Sequence, residues 1–114
     1  MAILIKTQHP AQLLRLLNDA INNGGVQTWQ VDNDGDYTIS RLQWFQCAWI
    51  RPYIKNEQLI FGIVQSSNYP MTRQLYGVYH GRFVATLLSH FDFMIDNVEI
   101  SPLMVEGYDI STSD

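Results

Sequence analysis

Residues 26–40 read VQTWQVDNDGDYTIS, with an apolar segment on each side of the sequence DNDGD. Tight turns favour Asn, Asp and Gly, because these residues bond their own backbone or accept left-handed dihedral angles. Short alternating segments on both sides of such a turn are typical of a β-hairpin. This stretch therefore predicts the first pair of strands and the start of an antiparallel sheet.

The length of the hairpin loop determines which residues face each other. A two-residue loop would set Val31 against a threonine. A three-residue loop that ends at Gly35, in the left-handed conformation, pairs Val31 with Tyr37 instead. The same register pairs Trp29 with Ile39, so large apolar side chains meet on one face of the sheet. We therefore expect the three-residue loop.

The expected register also places Asp32 opposite Asp36, and like charges that face each other across two strands lower stability. Together with Asp34 they form three carboxylates at alternate positions, which suggests a calcium loop. An EF-hand that began at Asp32 would need Gly at its sixth position and Glu at its twelfth, where this chain has Tyr37 and Gln43. We interpret the stretch as a structural turn, and a weak cation site at the three aspartates is the alternative.

Two segments have the periodicity of amphipathic helices. The first begins at Pro10, carries leucines at helical spacing and ends at residues 22–25, Asn-Asn-Gly-Gly. The second spans residues 72–91 and buries an aromatic face. Both helices are expected to pack on a sheet.

The remaining strands follow from short apolar runs. Residues 2–5 fit an edge strand, residues 47–54 fit a strand that Pro52 limits, and residues 59–64 are apolar on both faces, as in a central strand. Residues 97–101 fit a last strand. The sequence thus predicts an α+β domain over residues 1–103 with an antiparallel sheet of four to five strands and two helices, in the order α-β-β-β-β-α with the last strand as an optional addition. The acidic residues from 104 to 114 are expected to form a mobile tail.

Composition limits the classes of function. With 114 residues the chain fits one domain, and its single cysteine, Cys47, cannot form an internal disulfide, so we expect a cytoplasmic protein. The start of the chain has no signal-peptide pattern, and no apolar run reaches the roughly 20 residues of a membrane span. The net charge of −4 and the lack of a Lys/Arg cluster argue against nucleic acid as a partner. No Gly-rich phosphate loop or metal motif is present, so no cofactor is expected.

His80 is the strongest candidate for chemistry, because histidine titrates closest to neutral pH. It lies on the apolar face of the second helix, where a hydrogen-bonded core histidine is the simpler interpretation. His90 is ten residues away, about 15 Å along a helix, so the two cannot share a metal. A pocket around His80 with Asp36 or Arg51 is the enzymatic alternative. For Cys47, beside an apolar strand, we expect a buried thiol and not a nucleophile.

Small residues recur on the second helix at Gly77, Gly81 and Ala85. Glycine inside a helix costs about 0.5–1 kcal/mol relative to alanine, so the stripe implies a close neighbour. That neighbour is either the first helix or the sheet, or else a second subunit or partner; a break in the helix at His80-Gly81 is the third interpretation. Trp44 adds a candidate contact, because it or the adjacent Phe45 is expected to be exposed.

Two classes of function remain after these exclusions. The absence of any catalytic motif favours a non-catalytic protein-interaction or regulatory module that binds a protein partner or self-associates. The alternative is a small-ligand-binding protein or hydrolase-like enzyme that uses His80.

Overall fold

A computed structural model of the chain describes residues 2–41, 43–102 and 105–110, and it contains one sheet and two helices. In chain order the elements are β1 (Ala2–Lys6), α1 (Pro10–Asn22), β2 (Trp29–Val31), β3 (Tyr37–Ile39), β4 (Ala48–Lys55), β5 (Gln58–Gln65), α2 (Arg73–Phe91), a 3-10 turn (Asp92–Met94) and β6 (Asn97–Ile100). The six strands lie in the order β2-β3-β4-β5-β1-β6, and all neighbouring strands are antiparallel. The α+β class is therefore confirmed, with more strands than the sequence predicts.

The hairpin has the predicted register, in which Val31 pairs with Tyr37 and Trp29 pairs with Ile39. Gly35 closes the loop at a φ of +83° and donates its N–H to the carbonyl oxygen of Asp32 at 3.1 Å. Because only glycine takes this conformation without strain, Gly35 sets the loop length and thereby the face on which each apolar side chain lies.

The prediction that residues 2–5 form an edge strand is wrong, because β1 lies between β5 and β6. Ile3 faces Phe61 on one side and Ile100 on the other. Ile3 and Ile5 have no exposed surface, because strands lie on both sides of β1 and the core covers these side chains. The edges of the sheet are β2 and β6.

Both helices pack on the same face of the sheet around a single core. α1 contributes Leu13 and Leu17, which are fully buried. α2 begins after Thr72, whose hydroxyl accepts the N–H of Leu75 at 3.1 Å, and it runs without a break to Phe91. The core between α2 and the sheet is a cluster of aromatic rings: Trp29, Tyr37, Phe61, Tyr79 and Phe83.

Residues 105–108 form a turn, and the chain then runs beside β5 over residues 108–110. A Cβ atom at Gly62 would lie 1.8 Å from the carbonyl oxygen of Tyr108, so only glycine allows this close approach. The carboxylate of Asp109 accepts the N–H of Ile63 at 2.7 Å, and Ile110 forms a parallel bridge with Val64. The predicted tail thus contacts the domain through residues 108–110. Residues 103, 104 and 111–114 lie outside the described residues, and the mobility of the segment from residue 104 stays a prediction.

Replacing Gly35 by valine should lower the free energy of unfolding by about 1–2 kcal/mol, because a β-branched residue is strained at positive φ. The control is Asn33→Val, which puts the same side chain at an exposed residue of the same loop whose φ is not positive. Urea denaturation of both variants measures the difference. A Gly35→Val protein as stable as its control would contradict the three-residue loop.

Candidate functional site

An ion pair between the hairpin and β4 accounts for the two opposed aspartates. Asp36 is 4% exposed, and the guanidinium of Arg51 binds it with two nitrogens, Nε to Oδ1 at 3.0 Å and Nη2 to Oδ2 at 2.8 Å. The hydrogen bond to Asp36 is the main reason that the pKa of Arg51 is raised above its usual value. Because Arg51 offsets the charge of Asp36, Asp32 can face it across the hairpin without leaving a buried charge unpaired.

The aspartates of the hairpin do come together. One carboxylate oxygen each from Asp32, Asp34 and Asp36 lies within 4.8 Å of the others. Oδ1 of Asp32 accepts the N–H groups of Asp34 at 2.9 Å and Asp36 at 3.0 Å, which is the bonding of a turn. A calcium ion takes six to eight oxygen ligands, whereas Asp36 already binds a guanidinium here. The geometry therefore fits a charge-balanced turn, and the cation site stays an untested alternative.

Millimolar calcium should leave the melting temperature of the protein unchanged, because Arg51 already neutralises one of the three carboxylates. A ligand present at a hundred times its dissociation constant would add about 2.7 kcal/mol, which thermal denaturation detects readily. Sodium chloride at equal ionic strength controls for screening of the exposed charges. A rise in melting temperature that calcium alone causes, and that Asp34→Asn abolishes, would establish the cation site.

His80 is buried in the core side of α2 with only 2% of its surface exposed. Its Nδ1 lies 2.9 Å from the carbonyl oxygen of Tyr76, which can only accept, so Nδ1 carries a proton in this hydrogen bond. The imidazole also stacks on the Tyr76 ring, with 5.4 Å between centroids. Burial, and then the charge of Asp109, raise the pKa of Tyr76 to about 12. This environment is that of a hydrogen-bonded core histidine.

The other sequence candidates are buried or half-buried. Cys47 is buried, its thiol donates to the carbonyl oxygen of Gln43 at 3.6 Å, and burial raises its pKa, so it stays a thiol. Trp44 packs against the core, and its carbonyl oxygen accepts the hydroxyl of Tyr79. Trp44 and Phe45 are both half-buried, so neither is the exposed anchor that the sequence suggested.

The stripe of small residues faces solvent. Gly77, Gly81 and Ala85 are all exposed, and a Cβ atom added at either glycine would meet nothing within 4 Å. The interpretation in which they contact the first helix or the sheet is therefore wrong, because α2 turns its aromatic face to the core and this stripe away from it. The interpretation of a broken helix is wrong as well, since α2 is continuous. A second subunit or partner is the remaining interpretation.

The structure has a cleft between α2 and the start of β2 that the sequence analysis does not predict. It has a volume of about 260 Å³ and is lined by Thr28, Arg82, Ala85, Thr86, Ser89 and His90. The cleft residues on α2 recur at intervals of three and four, which places them on one face of the helix, next to its aromatic face. This spacing is visible in the sequence. The lining contains two basic side chains and three hydroxyls and has no carboxylate.

Comparison of the chain with protein-family models, with curated proteins and with solved structures found no match. No helix among the described residues is long and apolar enough to cross a bilayer. Within the same residues, the hairpin aspartates form the one group of three or more His, Cys, Asp or Glu side chains close enough to hold a metal.

Proposed function

We propose that this protein is a small cytoplasmic interaction module that has no catalytic role and self-associates through α2. The contact surface is the outer seam of α2, which consists of the exposed Gly77, Gly81, Ala85 and Leu88 and the half-buried Val84 at its border. The observation that carries the proposal is the exposure of the two glycines, whose missing side chains leave open space on the solvent side of a continuous helix. The cytoplasmic location rests on the single cysteine.

The energy of the helix supports a partner at this seam. Each glycine weakens α2 by about 0.5–1 kcal/mol relative to alanine, and no contact within the described chain offsets that loss. A helix face that only meets water normally carries charged and polar residues. Between residues 77 and 88 the outer seam carries none, and Leu88 is 46% exposed; the exposed Gln74 lies on the same face one turn before Gly77. Close packing against another backbone would offset the cost of the glycines through added dispersion contacts.

The spacing of the seam favours a helix as the partner, and a second copy of α2 in particular. Gly77, Gly81, Val84 and Leu88 follow one another at intervals of four, three and four residues, the repeat that keeps one face of a helix against another. In an antiparallel two-fold dimer, Leu88 of each copy would lie over the glycines of the other. The large side chain would then fill the space that the glycines leave.

The enzymatic alternative receives less support from the geometry. His80 is 2% exposed and already bonds the carbonyl oxygen of Tyr76, so a substrate would have to displace core packing to reach it. A general base must lie within hydrogen-bond reach of its substrate. The α2 seam needs no such rearrangement.

Gly81→Leu should abolish self-association without loss of the fold, because the leucine projects into open space in the monomer but overpacks a close helix contact. Sedimentation velocity from micromolar to millimolar protein measures the assembly. We expect a reversible, concentration-dependent dimer for the native protein, because one helix pair buries less than the usual 1,200–2,000 Å² of a stable interface. The variant should remain a monomer and melt at an equal or higher temperature.

Gln12→Leu is the matched control, since it adds the same side chain at an exposed position of α1. We expect this variant to dimerise like the native protein. A native protein that stays monomeric at millimolar concentration would contradict self-association, as would a Gly81→Leu protein that dimerises normally.

A further inference from the structure

The cleft beside α2 has the composition of an anion site. Arg82, Ser89 and His90 approach it from α2, and Thr28 approaches it from the residue before β2. Neither the guanidinium of Arg82 nor the imidazole of His90 forms an ion pair or hydrogen bond with another side chain in the part of the chain that the structure describes. One guanidinium and one imidazole that lack a carboxylate partner within the described residues therefore border one cleft, in a chain whose net charge is −4.

The buried hydroxyl of Thr86 at the floor of the cleft already has its hydrogen-bond partners within the protein. Thr86 is 8% exposed; its hydroxyl accepts the indole N–H of Trp29 at 3.2 Å and donates to the carbonyl oxygen of Arg82 at 3.0 Å. Its one proton is thus used within the protein. The donors left for a ligand are the guanidinium, the imidazole and the hydroxyls of Thr28 and Ser89, and this set suits a ligand that is rich in acceptor oxygens.

We propose that this cleft binds a phosphate group, either as free phosphate or as part of a small phosphorylated molecule. A guanidinium bonds two phosphate oxygens at once, and the hydroxyls can donate to the others. The cleft is open to solvent on one side, and its volume of about 260 Å³ leaves room for a phosphate that carries a small organic group. Such a cleft takes one ligand and is not the extended basic surface that nucleic acid requires.

Because of the position of the cleft on α2, its affinity for an anion depends on the side chains alone. It lies along the C-terminal half of α2, and the C-terminal end of a helix carries a partial negative charge. The helix therefore does not attract an anion here, and any affinity must come from Arg82, His90 and the hydroxyls. Removal of one cationic side chain should then cause a large loss of binding.

Titration of the full chain with inorganic phosphate, followed by proton–nitrogen correlation NMR, tests this proposal, with sodium chloride at equal ionic strength as the reference. We expect saturable shifts of the amides of Thr28, Ser89 and His90. Arg82→Gln should raise the dissociation constant at least about tenfold, which corresponds to the loss of one charge-assisted contact. His90→Gln should raise it several-fold.

Arg15→Gln is the matched control, because it removes the same charge from an exposed position on α1. It should leave phosphate binding within about twofold of the native protein, since Arg15 does not line the cleft and an exposed charge is screened by salt. Shifts that do not saturate, or an equal loss in Arg15→Gln and Arg82→Gln, would overturn the site in favour of general charge screening.

A parallel titration with glycerol phosphate identifies the source of the phosphate group. Tighter binding than that of inorganic phosphate assigns the cleft to an organic phosphate, and equal binding assigns it to free phosphate. Gly81→Leu should bind phosphate normally, because Gly81 does not line the cleft. Because Ala85 belongs to both the cleft and the outer seam, Gly81→Leu is the variant that separates phosphate binding from self-association.

Discussion

The contact of Phe83 with three aromatic rings of the sheet sets the orientation of α2. The centroid of the Phe83 ring lies 4.6 Å from that of Phe61, 5.1 Å from that of Trp29 and 5.5 Å from that of Tyr37, and its side chain is fully buried. Aromatic pairs in such geometries contribute about 0.5–1.5 kcal/mol each beyond the burial of their area. These rings fix the rotation of α2 about its axis. The outer seam is consequently turned to solvent, and the flank that carries Arg82 faces the start of β2.

Local chemistry was sufficient to predict the elements that depend on neighbouring residues. The hairpin register followed from Gly35 and from the pairing of Val31 with Tyr37, because turn residues and side-chain alternation act over a few positions. Both helices followed from their apolar periodicity. The burial of His80 could be expected for the same reason, since it lies on the aromatic face of α2.

Contacts between distant segments were beyond such reasoning. The position of β1 inside the sheet depends on pairing with β5 and β6, which no local pattern encodes. The ion pair of Arg51 with Asp36 joins two strands, and the sequence showed only the unexplained aspartates. Gly62 did carry a signal, because glycine inside an apolar strand often marks the close approach of another backbone. That backbone proved to be residue 108, in a segment without an apolar pattern of its own. The sequence likewise could not show that the glycine stripe faces solvent, because this depends on which segments α2 contacts.

The orientation of α2 is the central claim, since the seam and the phosphate cleft both follow from it. Nuclear Overhauser effects from the ring protons of Phe83 test it most directly, in dilute protein labelled selectively at aromatic and leucine side chains. The account predicts cross-peaks from Phe83 to the rings of Trp29, Tyr37 and Phe61, and none from the Leu88 methyl groups to those rings. Cross-peaks from Leu88 to the aromatic rings of the sheet, together with no cross-peaks from Phe83 to those rings, would mean that α2 is rotated about its axis. That result would contradict the account.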